Sequence, residues 1–189
     1  MTSETAAAFG KRDAMFNTAG VSRSMNLLDA TEDNRNSIIG TNGRGCLSGM
    51  QTTPHQLIAQ RPGSKTVNTA AMVSRNACAN VAPCCPSKWA VASRTQPGAY
   101  DQVTNDITVT GFAPGVVATE MPAQAHRDAM ELDAAERPGH AVDAPLPENL
   151  KRRVARPADI TGTTTVLAVG QSVQLTGQVV TIDGGMTLI

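Results

Sequence analysis

Aromatic residues are scarce. Phe9, Phe16, Phe112, Trp89 and Tyr100 are the whole set in 189 residues. Aromatic side chains bury the most area each, so the core must be built from Val, Ile, Leu, Met and Ala, and marginal stability is expected. Net charge is also missing: 16 Lys and Arg balance 16 Asp and Glu, so no field favours nucleic acid, an anionic membrane or an acidic substrate. No apolar run approaches the length of a bilayer span. The start Met1-Thr2-Ser3-Glu4 lacks the basic-then-apolar order of a secretory signal. A soluble, cytoplasmic protein with no membrane partner is therefore expected. The four cysteines, Cys46, Cys78, Cys84 and Cys85, form no CxxC, which fits neither a disulfide framework nor a zinc site and predicts reduced thiols. His55, His126 and His140 are too widely spaced for a metal site and are expected to be exposed.

The length, with 41% apolar and 17% charged residues, suits one domain over residues 1–189. Asp13–Asn17 reads as a short buried strand running into the turn Thr18-Ala19-Gly20. Thr31–Gln60 carries Ile38, Ile39, Leu47, Met50, Leu57 and Ile58 at spacings that favour a long helix. Gly40, Gly43, Gly45 and Gly49 each cost that helix about 1 kcal/mol relative to alanine. Lys65–Ala71 predicts a second strand, and Ser87–Ser93 a helix after Pro86 that Pro97-Gly98 stops or bends. Ile107–Phe112 alternates as a strand and meets the turn Ala113-Pro114-Gly115. Glu120–Arg156 lacks a clean period and reads as an irregular excursion or lid. A helix over Pro157–Val169, starting near Asp159, and a strand over Gln178–Asp183 complete the chain. This order predicts an α/β fold, a parallel sheet covered by helices on both faces.

Read together, Asn17-Thr18-Ala19-Gly20, Asn42, Val67-Asn68-Thr69, Ser87-Lys88, Ala113 through Thr119 (APGVVAT) and Asp183-Gly184-Gly185 resemble the short-chain dehydrogenase/reductase family in order and spacing, from about Phe9 to the end. The resemblance implies a Rossmann-like doubly wound sheet, NAD or NADP as cofactor, and an alcohol or carbonyl as small-molecule substrate. It also implies a tyrosine acid/base, a lysine four residues later that holds the nicotinamide ribose, a serine that orients the substrate oxygen and an asparagine that holds a relay water. Four residues is one helical turn, so tyrosine and lysine share a face. Carried over, Lys88 is the lysine and Asn42 the asparagine. Asn17, Ala19 and Gly20 would border the adenosine ribose, and Pro114, Gly115, Val117 and Thr119 would face the nicotinamide. Asp183-Gly184-Gly185 reads as structural.

Three positions depart from the pattern. Cys84 stands at the tyrosine position, and Ala71, thirteen residues earlier, at the serine position. A thiol titrates near 8.5 against about 10 for a phenol, and Lys88 is expected to lower it further. Its sulfur nevertheless sits several ångström short of where a phenol oxygen would lie, and Ala71 offers no donor to a developing oxyanion, a loss commonly of about 100-fold in rate. The third departure is upstream: no glycine-rich strand-turn-helix precedes Asn17, and the cluster Gly40 to Gly49 fails the GxGxxG spacing. The chain thus reads as a partial Rossmann-like fold, from a degenerate or N-terminally truncated member of the family. Its first strand lacks its usual neighbour and calls for cover by a loop or by a second copy in a homo-oligomer. Two functions follow as expectations: an NAD(P)-dependent oxidoreductase with Asn42, Cys84 and Lys88 at its centre, or an inactive binding or scaffold subunit. Thiol chemistry at Cys84 and Cys85 is a third, remoter reading, set against their use as small buried fillers.

Overall fold

The computed structural model describes residues 2–60, 63–121 and 149–188. Most of the predicted excursion, together with His126 and His140, lies outside them, as does the side chain of His55. Helix α1 (Thr2–Phe9) leads into strand β1 (Ala14–Asn17). Helix α2 (Glu32–Ile38) runs through a π-helical turn (Ile39–Arg44) directly into α3 (Gly45–Gln60). Then follow β2 (Lys65–Thr69), α4 (Cys84–Gln102), β3 (Thr108–Pro114), α5 (Pro157–Ala168) and β4 (Val179–Ile182).

The strands form one sheet in the order β1-β2-β3-β4, every pair parallel. Sequential parallel strands require helical crossovers, which α2–α3, α4 and α5 supply. Alternation along the strands sorts the two faces. Val109 and Ala113 of β3 pack with Leu57 of α3 and with Val91 and Ala99 of α4. Val67 of β2 and Phe112 of β3 point the other way, onto Leu167 of α5. Every residue from Lys65 to Asn68 is buried, as a strand covered on both faces must be. The apolar side chains that fill these clusters are aliphatic or sulfur-bearing apart from Phe16 and Phe112, in keeping with the composition.

The α/β parallel sheet is as the sequence reading expects. Several boundaries differ. Thr31 caps α2, its hydroxyl accepting from the Asn34 amide at 3.2 Å, and two of the glycines that weaken the long helix, Gly40 and Gly43, fall in a wider turn rather than breaking it: the Gly45 amide bonds the Gly40 carbonyl, five residues back. Helix α4 starts at Cys84, which puts Pro86 in its first turn, and continues through Pro97 and Gly98 to Gln102; the expected stop does not occur. Proline removes the bond to the Ser93 carbonyl, but Pro97 and Ser93 are both exposed, so water reaches the freed oxygen, while buried Thr95 and Ala99 hold the helix on the sheet. Strand β3 takes in Ala113 and Pro114, and the chain bends only at Gly115. Helix α1 had no counterpart in the sequence reading. Among the described residues no helix is long and apolar enough to cross a membrane.

Candidate active site

In a parallel sheet the chain leaves every strand at the same edge, and here that edge gathers Thr18–Ser22 after β1, Ala70–Ser74 after β2, Gly115–Thr119 after β3 and Asp183–Thr187 after β4. The predicted residues collect there because of topology, whatever their separation in sequence.

Asn42 is the best-anchored of them. It is 1% exposed and sits in the π-helical turn. Its Oδ1 accepts from the Val21 amide at 2.8 Å, and its Nδ2 donates to the Val21 carbonyl and to Ser87 Oγ, both at 3.0 Å. The Ser87 hydroxyl in turn donates to the Cys84 carbonyl at 2.7 Å. One side chain therefore joins the loop after β1 to the first turn of α4. Lys88, one turn beyond Cys84, donates from Nζ to the Thr69 carbonyl at 2.8 Å, at the end of β2. Gly20 separates the two anchors: a Cβ built there would lie 3.3 Å from Asn42 Oδ1 and 3.6 Å from Lys88 Nζ. Lacking one, Gly20 leaves a small open cradle against the lysine.

Burial sets the charge states. It pushes the Lys88 ammonium below its ordinary value, and the neighbouring Cys84 and Cys46 work against that shift. It pushes the Cys84 thiol up, against the hydrogen bond with the Ser22 side chain and the attraction of Lys88. Lys88 does pull the thiol down, as expected, but desolvation outweighs it, and Cys84 is a protonated thiol at neutral pH. Cys46, nearby in α3, is raised to about 11, chiefly by burial. Cys84 and Cys85 are both buried, and the four cysteines are free.

The remaining positions divide. Ala71 is extended and brings no side-chain donor, and the nearby hydroxyl of Ser74 is spent on the Ala71 carbonyl at 2.6 Å. Asn17 turns its amide to Asn68 Oδ1 at 2.9 Å, and Asn68, fully buried, continues to Thr95 at 3.2 Å. Asn17 and Ala19 line a cavity of about 470 Å³ between β1 and α3, bounded also by Phe16 and Cys46. Gly115 is dictated by packing, since a Cβ there would come within 2.9 Å of Asp183 Cα. Pro114 closes β3, Val117 forms a lone parallel bridge with Ala155, and Thr119 is exposed with its hydroxyl 3.5 Å from the Val117 carbonyl. The Asp183 carboxylate accepts from the amides of Gly185 and Thr187 and from the Thr187 hydroxyl, at 2.9, 2.7 and 2.6 Å, which makes it a clamp on the C-terminal turn. The reading from sequence missed Ser87, Val21 and Ser22. Ser87 alone left a signal, a hydroxyl three residues after Cys84, where helical serines bond back to the carbonyl.

A nicotinamide cofactor can be tested against these groups. The Lys88 ammonium beside the Gly20 cradle, held on the carbonyl of Thr69, whose own hydroxyl is buried and unpartnered, fits the ribose and nicotinamide end. The pyrophosphate end finds no glycine-rich strand-to-helix turn among the described residues.

Comparison with known proteins agrees with the fold. A family model described as enoyl-(acyl carrier protein) reductase matches residues 1–187. Diacetyl reductase [(S)-acetoin forming] of Staphylococcus epidermidis is 30% identical over 178 residues, covering 94% of this chain and 69% of that protein. L-2,3-butanediol dehydrogenase of Corynebacterium glutamicum is 27% identical over 191 residues, covering 97% and 70%. A crystal structure of a short-chain type dehydrogenase/reductase from Mycobacterium marinum superposes with a TM-score of 0.84 at 25% identity, over 100% of this chain and 70% of that one. The chain thus spans about 70% of the length of each of these two relatives and of that structure.

Proposed function

We propose that this chain, which belongs to the short-chain dehydrogenase/reductase family, holds the nicotinamide end of NAD or NADP and acts on a small ketone or secondary alcohol, the class named in its two relatives. The observation that carries the proposal is the Lys88–Gly20–Asn42 arrangement: a half-buried ammonium fixed on the Thr69 carbonyl beside a side-chain-free cradle, with the adjoining loop tied down through Val21. The cofactor, when bound, supplies or accepts the hydride.

The chain's own residues do the rest. Lys88 Nζ holds the ribose and adds positive charge near the reacting oxygen. Asn42 fixes the floor of the site by holding the loop after β1. Pro114, Gly115, Val117 and Thr119 border the nicotinamide, and Asn17, Ala19 and Gly20 stand toward the adenosine side. Cys84 Sγ occupies the proton donor's place, and being protonated at neutral pH it has a proton to give. The short reach of the thiol and the missing hydroxyl at Ala71 make this a slow catalyst. The same two positions favour a second reading, a subunit that binds cofactor without turnover.

The readings separate by experiment. Trp89 is the single tryptophan and adjoins Lys88, so energy transfer to reduced cofactor reports binding. Saturable quenching is expected in the parent and is lost in Lys88→Met. The double variant Cys84→Tyr with Ala71→Ser is expected to raise diacetyl reduction by about 100-fold or more. Absence of saturable binding at millimolar cofactor overturns both readings. Binding with no gain of turnover in the double variant overturns the placement of the donor and leaves the binding subunit.

A further inference from the structure

A second cavity, of about 270 Å³, lies between α3, α4 and the sheet. It is separate from the catalytic edge: its α4 residues run from Arg94 to Gln102, six to fourteen positions beyond Lys88, roughly 10–20 Å along the helix. On its α4 side it is lined by Pro97 and Gly98, and Gly98 packs so closely on Met50 that a Cβ there would clash with the Met50 side chain.

Two polar atoms at this cavity are buried without a hydrogen-bond partner. One is the hydroxyl of Thr66, a residue 2% exposed on the sheet floor, and the other is Oε1 of Gln102. Buried polar groups in folded proteins are almost always satisfied, and a pair of orphans on one cavity marks a place where a partner belongs. Their chemistry specifies that partner. Gln102 Oε1 only accepts, so the partner must bring an O–H or N–H, whereas the Thr66 hydroxyl takes either role. Val109 and the Met50 side chain lie on the same cavity and call for carbon. Arg94 and Asp101 also line it with opposite charges, so no net field selects an ion.

We propose that this cavity is a binding site for a small neutral polyol, with one hydroxyl donating to Gln102 Oε1, another bonding Thr66 Oγ1, and the carbon skeleton against Val109 and Met50. The site is independent of the proposed catalytic function and does not need Lys88.

Glycerol is the probe, applied to the full chain. Saturation-transfer NMR is expected to give a saturable signal at millimolar concentrations, with intermolecular contacts from the glycerol protons to the Met50 and Val109 methyl groups. Thr66→Val and Gln102→Leu, both close in shape to the parent residues, are each expected to weaken binding at least tenfold, while Thr66→Ser and Lys88→Met stay within about twofold. If Thr66→Val fails to fold, Gln102→Leu at the half-exposed helix surface and the methyl contacts still decide the matter. Absence of saturable transfer, contacts to other methyl groups, or equal binding by the parent and by both polar-to-apolar variants would overturn the proposal.

Discussion

Replacing Asn42 by leucine removes three hydrogen bonds with almost no change of volume. The bonds lost are those to the Val21 amide, the Val21 carbonyl and Ser87 Oγ, at 2.8, 3.0 and 3.0 Å. A net bond is worth about 0.5–1.5 kcal/mol, which gives about 3 kcal/mol for the set. Two features keep the figure from rising further. Val21 is 39% exposed, so its freed amide and carbonyl can take up water, and Ser87 keeps its bond to the Cys84 carbonyl. Urea unfolding followed by circular dichroism should therefore show a loss of about 3 kcal/mol, roughly 100-fold in the unfolding equilibrium, with an unchanged slope. Hydrogen exchange at the Val21 amide should accelerate by more than the global loss explains, because the loop after β1 loses its tie. A destabilisation below about 1 kcal/mol, or a Val21 amide as protected as in the parent, would refute the claim that Asn42 is the strut of this edge.

Other outcomes follow from the same geometry. The Cys46 thiol has a folded value of about 11 against an ordinary 9, so its contribution is fully present below pH 9 and is lost as pH rises toward 11. Denaturation at pH 8 and pH 10.5 should show a smaller loss, by about 1–2 kcal/mol, in Cys46→Ala than in the parent. Burial pushes the Asp183 carboxyl up, but the Thr187 and Gly185 hydrogen bonds outweigh it and its value is lowered. Its stabilisation is therefore present above the ordinary carboxylate value of 3.8 and fades as pH falls through the folded one. Asp183→Asn should cost about 2 kcal/mol at pH 7 and make the acid side of the stability profile shallower, measured by urea unfolding from pH 7 down to pH 3. Gly115→Ala forces a Cβ against the Asp183 backbone, and a loss of about 1–3 kcal/mol in the same assay is expected.

Much of the fold was legible because the strands announce themselves by short apolar runs ending in Gly- or Pro-rich turns. β1, β2, β3 and β4 each lie within two residues of the boundaries read from sequence. The helices were harder for opposite reasons. Pro97 looks like a terminator in one dimension, yet it and Ser93, whose carbonyl loses its partner, are both exposed, and the lost hydrogen bond is repaired by water. The glycines of Gly40 to Gly45 look like damage, yet they permit the wide turn from which Asn42 reaches Val21. For the candidate site, Asn42, Cys84 and Lys88 are singled out by position alone, and the structure brings all three to one edge of the sheet. Their electrostatics could not be read, because the desolvation that raises Cys84 depends on which side chains close over it. Val21 acts through its backbone amide and carbonyl, which carry no mark in the sequence, and Ser87 left only the spacing of a hydroxyl three residues after Cys84.

The π-helical turn between α2 and α3 also fixes the angular phase of everything that follows it. Successive α-helical residues advance by about 100°, so one residue inserted or deleted in Ile39–Arg44 would rotate the whole of α3 by that amount. Met50 and Leu57, which face the sheet, would swing toward solvent or into a neighbour. Straightening the helix by a single-codon deletion would thus dislodge the asparagine and the aliphatic packing together. The bend beside the loop after β1 and the seating of α3 on the sheet form one mechanical unit, changeable only in concert.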